Sequence, residues 1–325
     1  MRILILGLGV IGTTYGFAFQ KAGHSVEHFI RENKIATTPR NLEIDLLDGR
    51  YSSKGQEVVA DYSVSITKPD SEYDFIMISV PSGKLAEAIK TLKDNHISGT
   101  LLLFSNLWNT RHEIEQIING FPYIVGFPTA GGRKTGNKLE CVLFDNIKLE
   151  SQEKANISNY DKLVVLLKDA DIKVETPFDM IEWIWIHMAI NAGVTLTAAK
   201  NGIIENPAEL ATRLMNSSDA LSETVLTIRE TLEIVKARGV ILKKYNNELL
   251  PYKIPPWIAG RLMKKLFSGN ELTRRIMVLH SDIDDIMFGC TCVYRTGKTL
   301  GVKTPLFREK YEKILKALIS TNNKV

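Results

Sequence analysis

The stretch that decides the fold is MRILILGLGVIGTTYG, residues 1–16. Residues 1–6 are mainly apolar, which is typical of a strand covered on both faces in a parallel sheet. The glycines that follow have the G-x-G-x-x-G spacing of dinucleotide-binding turns. In such turns the first glycine permits a tight turn, the second admits a pyrophosphate and the third lets a helix pack on the strand. We therefore expect cofactor contacts from Gly7, Leu8, Gly9, Val10, Ile11 and Gly12. The alternative is a turn that only joins a buried strand to a helix.

The residue after the second predicted strand distinguishes between cofactors. That strand covers residues 23–30 and ends at Arg31. An Asp or Glu at this place usually accepts a hydrogen bond from the ribose 2′-hydroxyl of NAD, whereas an arginine accommodates the additional phosphate of NADP. Arg31 therefore predicts NADPH as the cofactor, although a solvated residue after a strand would give the same pattern.

Two further buried strands bring polar residues to the same edge of the sheet. The strands cover residues 73–80 and 101–104, and they are followed by Ser82 and Asn106. Ligands of open parallel sheets bind at the carboxyl ends of the strands, so both residues lie on the expected path of the cofactor. Each also fits a simpler role, since serine and asparagine commonly cap helices.

A glycine-rich segment, residues 128–133, ends in Arg133. A guanidinium group binds carboxylates and phosphates through two parallel hydrogen bonds, so a loop here would clamp a substrate anion. The pair Gly131-Gly132 equally fits a turn into an antiparallel strand at residues 140–143. We take Arg133 as a candidate substrate-binding residue.

Composition limits the class of protein. The chain has 325 residues, of which 44% are hydrophobic and 24% charged, and this length allows two domains with separate cores. Three cysteines are too few for a disulfide framework and lack the spacing of a zinc site, so we expect a cytoplasmic protein without a metal. The net charge of +4 comes with no recognition motif or interleaved aromatic residues, which argues against nucleic-acid binding.

The pattern changes at Pro177. Strand signals precede it, and helical periodicity then predicts helices over residues 179–199, 206–239, 261–267, 276–300 and 307–319. The predicted fold class is α/β, with an NADP-binding, Rossmann-type domain over residues 1–176 and an all-helical substrate domain over residues 177–325. Residues 180–199 are apolar enough to suggest a membrane span, but Glu182 and the polar residues after it would be costly in lipid.

The first predicted helix of the second domain carries a polar stripe. His187, Asn191 and Thr195 are successive i,i+4 neighbours on an otherwise apolar helix. Buried polar groups need partners, so this stripe is either a functional face or a hydrogen-bonded part of the core.

The chain resembles the ketopantoate reductase family, the 2-dehydropantoate 2-reductases and their relatives. The residues that carry the resemblance are the glycine turn with Arg31, Ser105-Asn106, Trp185-Ile186-His187-Met188-Ala189-Ile190-Asn191 with Leu196-Thr197-Ala198, and His280-Ser281-Asp282-Ile283-Asp284. The resemblance covers nearly the whole chain. It implies that an NADPH-dependent enzyme reduces a small 2-keto acid, 2-dehydropantoate being one candidate, at a cleft between the domains.

The resemblance also implies roles for individual residues, with departures from the family pattern. The position of the family's catalytic lysine is occupied by His187, the first asparagine is kept as Asn191, and the late glutamate is shortened to Asp282. Thr195 stands where a second asparagine is expected, and the substrate-contacting serine falls near Asn270. The implied catalytic residues are thus His187, Asn191 and Asp282, with Thr195 and Asn270 as substrate contacts. A histidine with an ordinary pKa of about 6.5 would lose its proton through the neutral range, unlike a lysine.

Two other functions stay open from the sequence. An opine-type or 3-hydroxy-acid dehydrogenase shares the plan of a sheet domain followed by helices. A non-catalytic NADPH-binding sensor would explain the loss of the lysine. The expected partner is a small keto acid, and a homodimer remains open.

Overall fold

The structure, a computed structural model, describes residues 1–81, 83–155, 157–200, 206–280 and 282–322. The chain forms two compact units, Met1–Ile181 and Glu182–Val325. The first is a mixed α/β unit and the second is helical, as the sequence predicts. The domain boundary at residues 176 and 177 stays a prediction.

The first unit contains two sheets. Its strands are β1 (Arg2–Leu6), β2 (Ser25–Phe29), β3 (Asn41–Asp48), β4 (Gln56–Ser63), β5 (Glu72–Ile78), β6 (Ser98–Leu103), β7 (Tyr123–Phe127), β8 (Ala130–Thr135), β9 (Lys138–Leu143), β10 (Asn146–Leu149) and β11 (Lys173–Glu175). Seven strands form the larger sheet in the order β11-β10-β7-β6-β5-β1-β2, and all neighbours are parallel except β10 and β7. From β1 the chain continues to β2 on one side and returns to β5 on the other, so the turn after β1 lies at a topological switch point.

The helices of this unit are α1 (Val10–Lys21), α2 (Glu32–Ile35), α3 (Leu85–Asp94), α4 (Arg111–Ile118), α5 (Gln152–Ala155) and α6 (Tyr160–Asp169). A smaller mixed sheet, in the order β4-β3-β9-β8, lies against α1. Because α1 also packs on β1, its residues from Gly12 to Phe19 are buried. One apolar core therefore includes Ile5 of the larger sheet and Leu42 and Tyr62 of the smaller one.

The smaller sheet corrects two expectations from the sequence. The alternation of Ser63-Val64-Ser65-Ile66 predicts a short strand, whereas in the structure these residues are the end of β4 followed by a single bridge between Ile66 and His28. The expected loop around Gly131-Gly132 is part of β8, which pairs with β9 in an antiparallel hairpin. A Cβ on Gly132 would lie 2.2 Å from the carbonyl oxygen of Glu140, so glycine is needed there for close strand pairing.

The second unit consists of helices. They are α7 (Met180–Ala198), α8 (Pro207–Asn216), α9 (Ser218–Ala237), α10 (Asn246–Leu249), α11 (Pro256–Gly269), α12 (Glu271–Leu279), α13 (Ile283–Thr299) and α14 (Pro305–Asn322), with short 3₁₀ turns around α10. Two long predicted helices are each divided at a capping side chain. Ser217 accepts a hydrogen bond from the N–H of Ala220 at 3.2 Å, and Asp282 accepts one from Asp285 at 3.1 Å. In the described ranges no helix combines the length and the apolar character needed to cross a membrane.

Candidate functional site

The glycine turn between β1 and α1 has a separate requirement at each glycine. Gly7 has a φ of +91°, which side chains other than glycine rarely adopt. A Cβ on Gly12 would lie 2.5 Å from Cγ2 of Ile5, so this glycine allows α1 to pack on β1. Gly9 is exposed, and a Cβ placed on it would meet no atom within 4 Å. The first and third glycines therefore serve the fold, whereas the second faces open space.

The buried His28 contacts the glycine turn and fixes its conformation. The Nδ1 atom of His28 lies 2.7 Å from the carbonyl oxygen of Gly7, and its Nε2 atom lies 2.6 Å from the hydroxyl of Tyr62. Burial, as the largest effect, lowers the pKa of His28 to about 4, so the ring is neutral at pH 7. A carbonyl only accepts, so the proton is on Nδ1 and the hydroxyl of Tyr62 donates to Nε2.

The start of α1 is suited to an anion. Its N-cap residue is Gly9, which has no side chain that could accept from the first N–H groups of the helix. Such a helix end carries a partial positive charge and favours phosphates. Within the described residues, the fully buried Oγ1 of Thr13 and the Oδ1 of Asn106 have no hydrogen-bond partner. These features fit a dinucleotide. Ser82 lies outside the described residues.

Arg31 follows β2 and is exposed, and its guanidinium donates to the carboxylate of Glu87 on α3 at 2.5 Å. Lys84 lies 3.4 Å from the same carboxylate. Both cations therefore gather around one acidic group beside the carboxyl end of β2, where the cofactor ribose is expected. Glu87 would have to share Arg31 with any phosphate bound there.

In the second unit, α7 has two opposite stripes. Ala189, Gly193 and Thr197 are buried against α9: the Thr231 hydroxyl donates to the Ala189 carbonyl at 2.8 Å, and a Cβ on Gly193 would lie 2.7 Å from Ile228. The polar stripe is displaced from this one by two residues, which is about 200° around a helix. Packing on α9 therefore turns the polar stripe away from α9.

The buried stripe ends in a polar network. The Thr197 hydroxyl donates to Thr227, and the ammonium group of the buried Lys310 donates to Thr197 at 3.1 Å and to Thr227 at 2.7 Å. Glu223 balances this charge at 2.9 Å. A buried cation with a paired carboxylate and two hydroxyls is well satisfied, so the network anchors α7 to α9 and α14.

His187 and Asn191 are in contact on the outward stripe. The Asn191 amide nitrogen lies 2.9 Å from Nε2 of His187, and Trp183 stacks on the imidazole ring at 5.1 Å. Burial, and then the charge of His280, lower the pKa of His187 to about 4. The ring is thus neutral at pH 7 with its proton on Nδ1, which removes the titration through the neutral range expected from the sequence.

The contacts or burial of four predicted site residues also have structural explanations. Asp282 caps α13, and Asn270 caps α12 by accepting from the N–H of Thr273 at 2.9 Å. Arg133 pairs with Glu140 across the β8–β9 hairpin at 2.8 Å, and Thr195 is half-buried on α7. Their roles towards a substrate stay predictions. Among the described residues no group of three His, Cys, Asp or Glu side chains could hold a metal ion.

Sequence reasoning missed two groups that shape these sites. Trp183 precedes His187 by four residues, so the helical spacing that revealed the polar stripe also contained this ring contact. No pattern in the sequence indicates that His28 supports the glycine turn, because its partner Tyr62 comes from a different sheet.

Comparison with known proteins gives a family match. Residues 3–165, just over half of the chain, match the model of the family described as "Ketopantoate reductase PanE/ApbA". A 2-dehydropantoate 2-reductase from Pyrococcus abyssi is 24% identical over 223 residues, which cover 63% of this chain and 67% of that protein.

Solved structures share the fold over nearly the whole chain. D-mandelate dehydrogenase, in a ternary structure with NADH and anilino(oxo)acetate, has a TM-score of 0.67 at 16% identity and covers 99% of both chains. A dimeric ketopantoate reductase from Staphylococcus aureus has a TM-score of 0.62 at 14% identity and covers 98% of both chains. At these identities the likeness concerns the fold alone.

The glycines allow cofactor binding to be separated from stability. Gly9→Ala should leave the free energy of unfolding within about 0.5 kcal/mol, because the added methyl group meets no atom. It should weaken binding of a nicotinamide dinucleotide roughly tenfold or more, since the methyl group stands where a phosphate would approach. Gly12→Ala should lower the free energy of unfolding by about 1–3 kcal/mol through its overlap with Ile5. Denaturant unfolding and fluorescence titration measure the two effects. Unchanged affinity in Gly9→Ala would contradict the assignment of the turn.

Proposed function

Since the chain belongs to the ketopantoate reductase PanE/ApbA family, we propose that it is an NADPH-dependent reductase of a small 2-keto acid. The observation that carries the proposal is the open glycine turn, where Gly9 faces free space in front of the uncapped start of α1. When bound, the nicotinamide dinucleotide supplies a hydride. The chain must bind the cofactor, orient the keto acid and provide a hydrogen-bond donor to the carbonyl oxygen, and the alkoxide left by hydride transfer takes its proton from solvent water.

In this proposal, the polar stripe of α7 contacts the substrate. Nε2 of His187 accepts from Asn191, so the remaining N–H of the neutral ring is at Nδ1. A neutral imidazole can polarise a carbonyl by donating a hydrogen bond, without carrying the fixed charge of a lysine. Stacking on Trp183 and the hydrogen bond from Asn191 restrict the rotation of the ring, which favours a defined direction for the donor.

The substrate class is a 2-keto acid, with 2-dehydropantoate as the first candidate. Support comes from the name of the Pyrococcus abyssi relative and from D-mandelate dehydrogenase, whose named substrate is a 2-hydroxy acid, the reduced partner of a 2-keto acid. The dimeric Staphylococcus aureus neighbour supports a homodimer as the assembly.

The decisive experiment follows NADPH oxidation with a panel of acids. The panel contains 2-dehydropantoate, phenylglyoxylate and short aliphatic 2-keto acids, together with 3-keto acids and mixtures of a keto acid with an amino acid. We expect turnover with at least one 2-keto acid. Turnover confined to 3-keto acids or to the mixtures would identify a 3-hydroxy-acid or opine-type dehydrogenase. Tight NADPH binding without any turnover would identify a sensor protein.

Cofactor selection should depend on Arg31. Arg31→Ala should weaken NADPH binding by about 1.5–3 kcal/mol, the range for a hydrogen bond to a charged group, and should not change NADH binding. Fluorescence titration with both cofactors measures this. Equal affinity for NADPH and NADH in the unchanged protein would refute the preference.

Glu87 provides a matched variant with the opposite effect. Its carboxylate competes with the 2′-phosphate for Arg31, and an exposed ion pair of this kind contributes about 0–1 kcal/mol. Glu87→Gln should therefore strengthen NADPH binding by no more than roughly fivefold and leave NADH unchanged. Weaker NADPH binding in Glu87→Gln would show that Glu87 itself helps to hold the cofactor.

The pH dependence of kcat tests the neutral form of His187. Because its pKa is about 4, the ring stays neutral between about pH 6 and 8, so we expect kcat for reduction to be constant over that range and to change only as the pH approaches 4. His187→Ala should lower kcat by roughly 10²–10³, the range for losing one hydrogen-bond donor to the developing oxyanion, without changing cofactor affinity. His112→Ala, at an exposed histidine of α4, is the control.

Two results would contradict this role of His187. A tenfold fall in kcat per pH unit from about pH 6 to 8 would show that the protonated ring is the working acid, since its population falls in that proportion above the pKa. Full turnover in His187→Ala would assign the stripe to the packing of the helix.

A further inference from the structure

The β8–β9 hairpin brings a lysine to the glycine turn. Successive residues of a strand face opposite sides of the sheet, and on β8 Arg133 pairs with Glu140 of the neighbouring strand. Lys134 is directed elsewhere: its ammonium group donates to the carbonyl oxygen of Leu8 at 3.1 Å. Leu8 lies between the first two glycines, so Lys134 holds the turn from the smaller sheet.

Lys134 has no counter-ion among the described residues. In the described parts of the chain, no carboxylate lies within 4 Å of its nitrogen, and the side chain is half-buried. Burial lowers the pKa of Lys134, and its positive charge contributes to the lowered pKa of His28. An ammonium group has three donors, and the carbonyl of Leu8 uses one of them. A partly desolvated cation of this kind favours a neighbouring anion.

We infer that Lys134 is a further cofactor-binding residue, whose ammonium group contacts the pyrophosphate of the nicotinamide dinucleotide while it holds the Leu8 carbonyl. The inference rests on the proposed function, because it requires that the chain binds such a cofactor. The charge of Lys134 adds to the partial charge at the start of α1, and both act on the same anion. The pyrophosphate is common to NADPH and NADH, so Lys134 acts on both cofactors equally, in contrast to Arg31.

The test replaces Lys134 and a second lysine of the same hairpin. Lys134→Gln keeps a donor for the Leu8 carbonyl but removes the charge. Lys138→Gln makes the same chemical change at a partly exposed residue that pairs with Glu43 and Asp45. We expect Lys134→Gln to weaken NADPH and NADH by the same factor, roughly ten- to hundredfold, and to reduce the salt dependence of both dissociation constants. Lys138→Gln should leave both constants and their salt dependence unchanged.

A measurement on the unchanged protein makes the test independent of how the variants fold. Acetylation of lysines, followed by mass spectrometry, should show that NADPH protects Lys134 and does not protect Lys138. Equal labelling of Lys134 with and without saturating NADPH would overturn the inference.

The outcomes separate this inference from the proposed function. If the unchanged protein binds neither NADPH nor NADH, the proposed function itself fails. If it binds them and Lys134→Gln binds them equally well, the inference alone is wrong. Weaker binding with the salt dependence of the unchanged protein would also overturn it, because Lys134 would then act only through the Leu8 carbonyl.

Discussion

The close approach of α1 to β1 is the constraint on which the first unit depends. A Cβ on Gly12 would lie 2.5 Å from Ile5, and one on Gly16 would lie 2.6 Å from the same side chain and 2.7 Å from the hydroxyl of Tyr62. The absence of side chains at Gly12 and Gly16 therefore lets two sheets cover one helix. Dense packing leaves little room for even one methylene group in such a contact.

This packing determines the conformation of the glycine turn. The hydroxyl of Tyr62 passes Gly16 to reach Nε2 of His28, and this hydrogen bond keeps the proton of the neutral ring on Nδ1. Nδ1 then donates to the carbonyl of Gly7, whose own N–H donates to Phe29. Both polar groups of Gly7 are thereby satisfied inside the protein. Through Tyr62 the smaller sheet therefore helps to fix the turn that precedes the start of α1.

The sequence predicts elements best where local pattern and burial agree. β1, the glycine turn and α1 follow from apolar residues and glycine spacing, and the polar stripe of α7 follows from helical periodicity. In β3 the apolar residues Leu42, Ile44 and Leu46 alternate with Glu43 and Asp45, a strand pattern that the prediction overlooks. Most of β4 is exposed or only partly buried, so its apolar pattern is weak. Helix ends were missed at Ser217 and Asp282, where one capping hydrogen bond ends a periodic pattern.

In the candidate site, the sequence predicts the positions of residues better than it predicts their charges. The position of His187 follows from the sequence, but its ionisation depends on burial and on His280, which lies on a distant part of the chain. Lys134 is adjacent to the predicted Arg133, and only the alternation of strand faces decides which of the two reaches the glycine turn. Residue type and spacing thus identify which chemical groups are available. Tertiary packing decides which of them carry a charge and which anion they meet, because desolvation and distance set both the pKa and the strength of each ion pair.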